Sequence, residues 1–511
     1  MQQFLRQRGL LDQELLMSKR ILISGSTGGV GELLVQLSQL GFGQGDGGCI
    51  GIVKPDSVPS SVFCNLMFGK SKTWDDFGKS IMKNKISFEF NSQEHIDLDS
   101  WDFHLCLNGP VELKSDLKGW ANGLRGIISD NESIAQTKDQ SCHPVHSSMR
   151  TIVAATLVHQ SLKLMGLCKK IPVSDVWLTV TCRIETIDLH FARDHVRGVG
   201  GVLLDVSPSN DGLATIARYR MPLESDVDTH SLIEVENVES SFSGTIDVGL
   251  RPWADESSED EYNLPTESTV SILGVGGLGS WAAPLICDAL SSGIIHIIDG
   301  DEEVALHNLN RQVLYGLDDI DKPKARVARE NLEKHYPDLQ IHSHELFLAR
   351  CHLSEPAEDG FDLNDAGGDD ELRSALRSSD ISLGCLDNMH ARTILNEAAL
   401  LNKIPMINGG GESTQGVVER LFDEGCMICR YGAEAANATE VISCTEEGVR
   451  PITSIVTTTA WVGAMMAALT ILELSGSTLH SAMRYSWFDG NSDSTMVSKP
   501  PWYDEECIRH F

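Results

Sequence analysis

The segment Val270-Ser-Ile-Leu-Gly-Val-Gly-Gly-Leu-Gly279 decides the fold class. Its apolar run predicts a buried strand, its glycines predict a tight turn, and a helical pattern follows. In such a unit the glycines let a phosphate approach the backbone, and N–H groups at the helix N-terminus point at it. Taken alone, the pattern fits a plain strand-to-helix turn or a redox dinucleotide site equally well.

A second copy of this unit lies near the N-terminus, in residues 20–31. Further landmarks follow in the same order in both halves. An apolar strand at 105–108 matches one at 385–387, and an apolar helix at 147–166 matches one at 457–476. Self-similarity of this kind predicts a repeated architecture. We therefore predict an α/β protein with two Rossmann-like halves, a pseudo-dimer within one chain.

The two halves differ where chemistry is expected. In the first half Ser26 takes the place of the first glycine, the segment beginning at Asn65 lacks an arginine, and Asn108 takes the place of Asp387. A neutral amide holds a cation less well than a carboxylate does. We therefore predict that the first half has kept the fold and lost the reaction.

Composition divides the chain into four segments. Between the halves, short runs that alternate apolar and polar residues predict a small β-rich module of unknown role. An acidic linker follows it. The predicted boundaries are 1–170 for the inactive half, 171–252 for the β-rich module, 253–267 for the linker and 268–511 for the active half.

Charge and cysteine content exclude several classes of partner. The 511 residues include 73 Asp+Glu against 41 Lys+Arg, a net charge of −32, which would repel nucleic-acid phosphates and anionic lipid. Residues 1–22 lack the apolar core of a secretory signal, and 13 cysteines suit a reduced compartment, so a cytoplasmic protein is predicted. Polar and small residues interrupt the uncharged stretch 451–472, which predicts a buried or interface helix.

Residues beyond the second glycine turn favour phosphate chemistry. Asp299 ends the next apolar strand, a position that suits a ribose hydroxyl. Arg311 and Lys324 can neutralise charge on a triphosphate, and Asp387 can hold Mg²⁺. Each has a structural alternative, since Arg311 could pair with a surface acid, Lys324 could be solvated and Asp387 could cap a helix. Their combination and order favour the phosphate site.

These motifs resemble the ATP site of the ubiquitin-activating and ThiF-like adenylyltransferases, with residues 268–511 similar to the active half and 1–168 to the inactive half. The motifs that carry the resemblance are Gly274-Val-Gly-Gly-Leu-Gly279, Asp299-x-Asp301, Asn308-Leu-Asn-Arg-Gln312, Lys322-Pro-Lys324 and Cys385-Leu-Asp-Asn388. The resemblance implies an ATP and Mg²⁺ site formed by Gly274, Gly276, Gly279, Asp299, Asp301, Asn308, Arg311, Gln312, Lys324, Asp387 and Asn388. It also implies that the N-terminus of the inactive half lends an arginine, here Arg6 or Arg8, to this site.

Two groups of cysteines are candidate functional sites. Cys426 and Cys429 have the spacing of metal ligands, and Cys507 with His510 completes a Cys₃His set for structural Zn²⁺. Members of the resembling family often carry paired cysteines at these two places. Buried thiols or a redox pair are the alternatives.

Cys444 is the candidate nucleophile. It follows a polar stretch of small residues, where an exposed thiolate could attack an acyl adenylate and form a thioester. In the resembling family a cysteine at the matching place carries a thioester or a persulfide, and in some members it is dispensable. A buried, inert thiol is the alternative.

We therefore predict an ATP-dependent activating enzyme for a ubiquitin-like protein. It would adenylate the C-terminal carboxylate of that protein, form a thioester on Cys444 and pass the acyl group to a conjugating enzyme. Tandem halves resemble conjugation-type activators, including compact prokaryotic ones, some of them antiviral. The alternatives are adenylation for sulfur transfer or peptide modification, and a non-enzymatic scaffold. A dehydrogenase is disfavoured because Arg311 and Asp387 would have no role in it. The chain could also form a homodimer.

Overall fold

The fold is taken from a computed structural model of the chain. It describes residues 2–7, 10–92, 96–110, 114–130, 142–168, 245–247, 249–250, 264, 267–346, 348, 370–422, 425–431, 454–476, 484–489, 494–499 and 507. The predicted β-rich module and the acidic linker fall almost wholly outside these residues, so both stay predictions.

The first half is built on a mixed sheet of apolar strands. Its order among the described residues is β3-β2-β1-β4-β5-β6-β7. The first five strands in that order are parallel to their neighbours, and β6 and β7 continue the sheet antiparallel. The strands are β1 (Arg20–Gly25), β2 (Cys49–Val53), β3 (Phe88–Asn91), β4 (Phe103–Leu107), β5 (Leu117–Asn122), β6 (Arg125–Ser129) and β7 (Thr245–Asp247).

The second half repeats this topology. Its described order is β10-β9-β8-β11-β12-β13-β14-β15, with five parallel strands followed by three antiparallel ones. The strands are β8 (Ser268–Leu273), β9 (Gly293–Ile298), β10 (Leu339–His344), β11 (Ile381–Gly384), β12 (Met406–Glu412), β13 (Gln415–Leu421), β14 (Arg484–Asp489) and β15 (Ser494–Lys499). The repeat confirms the predicted pair of Rossmann-like α/β halves.

Helices connect the parallel strands and cover both sheets. The described helices are α1 (Gln13–Ser18), α2 (Thr27–Leu40), α3 (Val62–Phe68), α4 (Trp74–Lys83), α5 (His146–Leu164), α6 (Gly279–Ala289), α7 (Lys324–His335), α8 (Asp370–Ser378), α9 (Met389–Leu401), α10 (Met427–Tyr431) and α11 (Val456–Leu474). The predicted helices at 147–166 and 457–476 correspond to α5 and α11, each within two residues.

The two halves share one apolar core. Helices α5 and α11 pack against each other, and α11 also packs on α6. Across the boundary the rings of Phe63 and Trp281 lie 4.4 Å apart, and His159 Nδ1 is hydrogen-bonded to Thr457 Oγ1 at 3.0 Å. Helix α11 is long and apolar enough to cross a membrane, but 94% of its apolar window is buried inside the protein. It is therefore the buried interface helix that the sequence predicted.

Candidate active site

The glycine turn after β8 is closed on the sheet side. Gly274 has a φ of +89°, and a Cβ there would lie 2.5 Å from the carbonyl oxygen of Cys385. A Cβ on Gly279 would lie 2.0 Å from the carbonyl oxygen of Gly274. A Cβ on Gly276, by contrast, would meet Gln312 Nε2 only at 3.6 Å. The turn therefore requires glycine at its two ends and is open in its middle, next to Gln312.

Arg311 lies beside this turn. A Cβ on Gly277 would be 3.9 Å from Arg311 Nε. The Nη1 atom of Arg311 donates to the carbonyl of His307 at 2.9 Å and to Asn310 Oδ1 at 3.0 Å, and the residue is 7% exposed. Asn308 accepts from Ala305 N–H at 2.8 Å within its own turn, and its predicted contact with phosphate stays a prediction. The predicted neighbours Arg311 and Gln312 thus reach the glycine turn, and Asn308 shapes the loop that carries them.

Asp299 and Asp301 have different surroundings. The two carboxylate oxygens of Asp299 accept the N–H groups of Val275 at 2.7 Å and Asp301 at 2.9 Å, and burial raises its pKa while Lys324 opposes the rise. Asp301 is half-exposed and forms a close ion pair with Lys324, whose side chain is 7% exposed. Lys324 is therefore buried rather than solvated. Asp299 organises the glycine turn, and its predicted ribose contact stays a prediction.

Asp387 lies at the same sheet edge as the glycine turn. Strands β8 and β11 are parallel with Leu273 opposite Gly384, and Cys385 N–H donates to the carbonyl of Leu273 at 2.9 Å. Asp387 follows two residues later and is exposed. The cap of α9 is Asn388, whose Oδ1 accepts from a main-chain N–H of the helix at 2.7 Å. The helix-cap alternative thus applies to Asn388, which also donates through Nδ2 to Asp387 Oδ1 at 3.2 Å.

The N-terminus of the chain reaches the second half. The 3-10 helix Gln2–Gln7 packs on the turn Leu306–Asn308, and Asn310 Nδ2 donates to Gln7 Oε1 at 3.3 Å. Since Asn310 also binds Arg311, two hydrogen bonds join Gln7 to the site. The side chain of Arg6 and all of Arg8 lie outside the described residues, so the lent arginine stays a prediction.

Two positioning residues were missed by sequence reasoning. Asn310 connects Arg311 to the N-terminal segment, and the Tyr315 hydroxyl donates to the carbonyl of Val275 in the glycine turn at 2.8 Å. Asn310 lies inside a motif that the sequence analysis used, so its position alone could have marked it. Tyr315 carries no such signal, because only folding brings it to the turn.

Three cysteines form a cluster that fits a metal ion. The Sγ atoms of Cys426, Cys429 and Cys507 lie within 4.8 Å of one another, and Cys426 is 3.8 Å from each of the others. Tetrahedral zinc with sulfur bonds of about 2.3 Å requires Sγ separations of about 3.8 Å. The three thiols therefore fit the predicted zinc site. His510, the predicted fourth ligand, and Cys444 both lie outside the described residues.

The glycine turn of the first half corrects one prediction. Gly25 has a φ of +134°, and a Cβ on it would lie 1.9 Å from the carbonyl oxygen of Leu107, so Gly25 rather than Ser26 takes the place of Gly274. Ser26 caps α2 by accepting from Gly29 N–H at 3.1 Å. Sequence alignment put the glycines one residue out of register, because α2 begins two residues after its glycine and α6 begins five after Gly274.

Comparison with known proteins agrees with this geometry. The model of the ThiF family matches residues 253–507. The sulfur carrier protein ThiS adenylyltransferase of Escherichia coli is 29% identical over 180 residues, 35% of this chain and 63% of that protein. Protein HesA of Leptolyngbya boryana is 30% identical over 175 residues, 34% of this chain and 56% of that protein. The chain thus spans less than two thirds of the length of either relative.

A third relative and a solved structure complete the comparison. The molybdopterin-synthase adenylyltransferase of Escherichia coli is 27% identical over 214 residues, 41% of this chain and 74% of that protein. A crystal structure of E. coli MccB with succinimide is 20% identical, with a TM-score of 0.36, over 47% of this chain and 65% of that one. Through residues 253–507, the chain therefore belongs to the ThiF family of adenylyltransferases.

Proposed function

We propose that the chain uses ATP to adenylate the C-terminal carboxylate of a small ubiquitin-like protein, and that the second half carries the reaction. One observation supports this most strongly. The buried cations Arg311 and Lys324 stand at an open glycine turn, at the sheet edge that also carries Asp387. Two cations held in a mostly buried site stabilise the negative charge of a triphosphate better than solvated ones do.

In the proposed reaction a carboxylate oxygen of the substrate attacks the α-phosphorus of ATP. A mixed anhydride forms, the bond to the bridging oxygen breaks and pyrophosphate leaves with the electron pair. Arg311 and Lys324 would neutralise charge on the phosphates as it develops. Asp387 would hold Mg²⁺, which would neutralise negative charge on the phosphates. For Lys324 to contact a phosphate, it must exchange its ion pair with Asp301 for the nucleotide.

The relatives favour a sulfur carrier as substrate. Two of them are named as adenylyltransferases of ThiS and of molybdopterin synthase. The thioester on Cys444 and the conjugating partner are the finer proposal, and a persulfide on Cys444 is its rival. Structural zinc on Cys426, Cys429, Cys507 and His510, and a cytoplasmic location, belong to the same proposal.

Exchange of labelled pyrophosphate into ATP tests adenylation. We expect exchange with a purified ubiquitin-like or sulfur-carrier protein that has a free C-terminal carboxylate, and none when that carboxylate is amidated. No exchange with any such substrate would support the scaffold alternative. The role of Cys444 is tested separately by trapping a thiol-sensitive adduct. Adduct formation by the wild type but not by Cys444→Ala supports a thioester, whereas unaltered exchange with no adduct in either protein removes the conjugation step.

A further inference from the structure

A buried arginine contacts the loop that carries Asp387. Arg392 lies in the first turn of α9 and is 9% exposed. Its Nε and Nη2 atoms both donate to the carbonyl oxygen of Leu386, at 3.0 and 2.5 Å. Leu386 immediately precedes Asp387 in the chain. The guanidinium thus fixes the peptide group that enters the predicted metal ligand.

The guanidinium itself is held by a buried polar network. Its Nη1 atom donates to Asn408 Oδ1 at 3.4 Å, and Asn408 Nδ2 donates to Glu419 Oε1 at 3.3 Å. Glu419 accepts from the Tyr431 hydroxyl at 2.5 Å and pairs with Arg430 Nε at 3.5 Å, with the side chains of Arg430 and Glu419 2% and 1% exposed. Such a buried network resists displacement, because any displaced member would lose partners in a low-dielectric interior.

The turn between β11 and α9 is therefore anchored on both sides of Asp387. Arg392 holds the carbonyl of Leu386 before it, and Asn388 caps the helix after it. Mg²⁺ demands near-octahedral geometry at about 2.0–2.1 Å, so a ligand on a loose turn binds it poorly. We propose that Arg392 is a positioning residue, which orients the Asp387 carboxylate to bind Mg²⁺ and itself contacts neither metal nor nucleotide. This inference rests on the proposed function.

Gly410 on β12 offers a way to move the guanidinium without removing it. A Cβ on Gly410 would lie 3.0 Å from Arg392 Nη1 and 3.2 Å from a methyl group of Val417. The variant Gly410→Ala therefore keeps every charge and every hydrogen-bonding group while it crowds the guanidinium. Arg420 supplies a matched control. It forms a bidentate ion pair with Glu473 at 3.0 Å and is 8% exposed.

Calorimetric titration of Mg²⁺ into the full chain with the non-hydrolysable analogue AMPCPP tests the inference. Arg392→Gln should weaken the apparent Mg²⁺ affinity about tenfold, as loss of an outer-shell partner does, and Gly410→Ala should weaken it less. Binding of AMPCPP in EDTA should stay unchanged in both. Arg420→Gln should lower the melting temperature and leave the Mg²⁺ affinity at the wild-type value.

The outcomes separate this inference from the proposed function. If the wild type binds no AMPCPP, the proposed function and this inference are both overturned. If the wild type binds AMPCPP, two results would overturn only the inference. One is a Mg²⁺ affinity of Arg392→Gln within about twofold of the wild-type value, and the other is an equal loss of Mg²⁺ affinity in Arg392→Gln and Arg420→Gln. Should Arg392→Gln fail to fold, Gly410→Ala decides alone, and an unchanged Mg²⁺ affinity in that variant overturns the inference.

Discussion

The two glycine turns of the molecule each have an arginine beside them, but the arginines come from different places. In the second half Arg311 comes from the loop after β9, and main-chain and amide oxygens hold it. In the first half Arg150 comes from α5, and a Cβ on Gly28 would lie 2.5 Å from its Nη1 atom. We expect that an arginine at the turn is not enough for a nucleotide site, and that the charged groups around it decide whether a nucleotide binds.

Two carboxylates, one from each half, interact with Arg150. Glu32 on α2 is fully buried, and Arg150 lowers its pKa against the larger rise caused by burial. Asp288 from the second half also interacts with Arg150, and accepts from the Ser147 hydroxyl at 3.0 Å. We therefore expect Arg150 to interact with these carboxylates and not with a nucleotide. In the second half Lys324 is paired with Asp301, and we expect a nucleotide to displace that carboxylate.

The largest expected effect comes from substitution of the two arginines beside the glycine turns. Arg311→Ala should weaken binding of MgATP about 100-fold, because a charge-assisted contact to phosphate is lost. Arg150→Ala is the matched control, since it should lower stability by removing a cation that interacts with Glu32 and Asp288, while MgATP binding stays at the wild-type level. Calorimetry and thermal melts measure the two effects. Equal losses of binding in both variants would contradict the asymmetry.

A slightly smaller effect concerns Glu32, whose pKa burial raises from 4.5 to about 7. Because the folded-state pKa lies above the unfolded value, this group contributes stability at low pH that is lost as the pH rises through about 7. Between about pH 5 and pH 8 the loss should be about 2 kcal/mol. Glu32→Gln should remove this pH dependence. Urea titrations should therefore show that the free energy of unfolding of the variant increases relative to that of the wild type as the pH rises. A constant difference between them would refute this.

Substitution of Asp387, or of Asn108 at the matching place in the first half, should have a smaller effect on nucleotide binding. Asp387→Asn should weaken ATP binding about tenfold in Mg²⁺ and leave it unchanged in EDTA. The reverse variant, Asn108→Asp, should not create a second site. The Asn108 amide donates to the carbonyl of Ala121 and accepts from its N–H, both at 2.8 Å, so a carboxylate there would lose the donor and cost stability. A second nucleotide bound by Asn108→Asp would overturn this interpretation.

The smallest effect is expected at the middle glycines. Gly276→Ala has room in the fold, since its Cβ would meet only Gln312 at 3.6 Å, but the methyl group occupies the open side of the turn. We expect MgATP binding about fivefold weaker, with an unchanged melting temperature. Gly28→Ala would crowd Arg150 instead and should lower the melting temperature without changing binding. Nucleotide titrations of the two variants compare them directly.

The fold could be predicted because its determinants are local. Apolar strands followed by glycine turns mark each half, and the repeat of landmarks fixes their common topology. The sequence comparison paired Ser26 with Gly274, and this was wrong. The helices of the two halves begin at different distances from the first glycine, which spacing alone does not show. Arg150 and Arg392 were missed because only packing brings them to Gly28 and Leu386. Arg311, Lys324 and Asp387 could be named as candidates because each lies in a short motif close to a strand or helix end of the second half.

The number of nucleotides bound per chain tests the central claim most directly. Calorimetric titration of Mg²⁺ and AMPCPP into the full chain should give one nucleotide per chain, and Lys324→Ala should weaken its binding while Arg150→Ala leaves it unchanged. Two nucleotides per chain would show that Glu32 and Asp288 do not keep Arg150 from a nucleotide. No binding, or a single site that survives Lys324→Ala and is lost in Arg150→Ala, would contradict the assignment of the reaction to the second half.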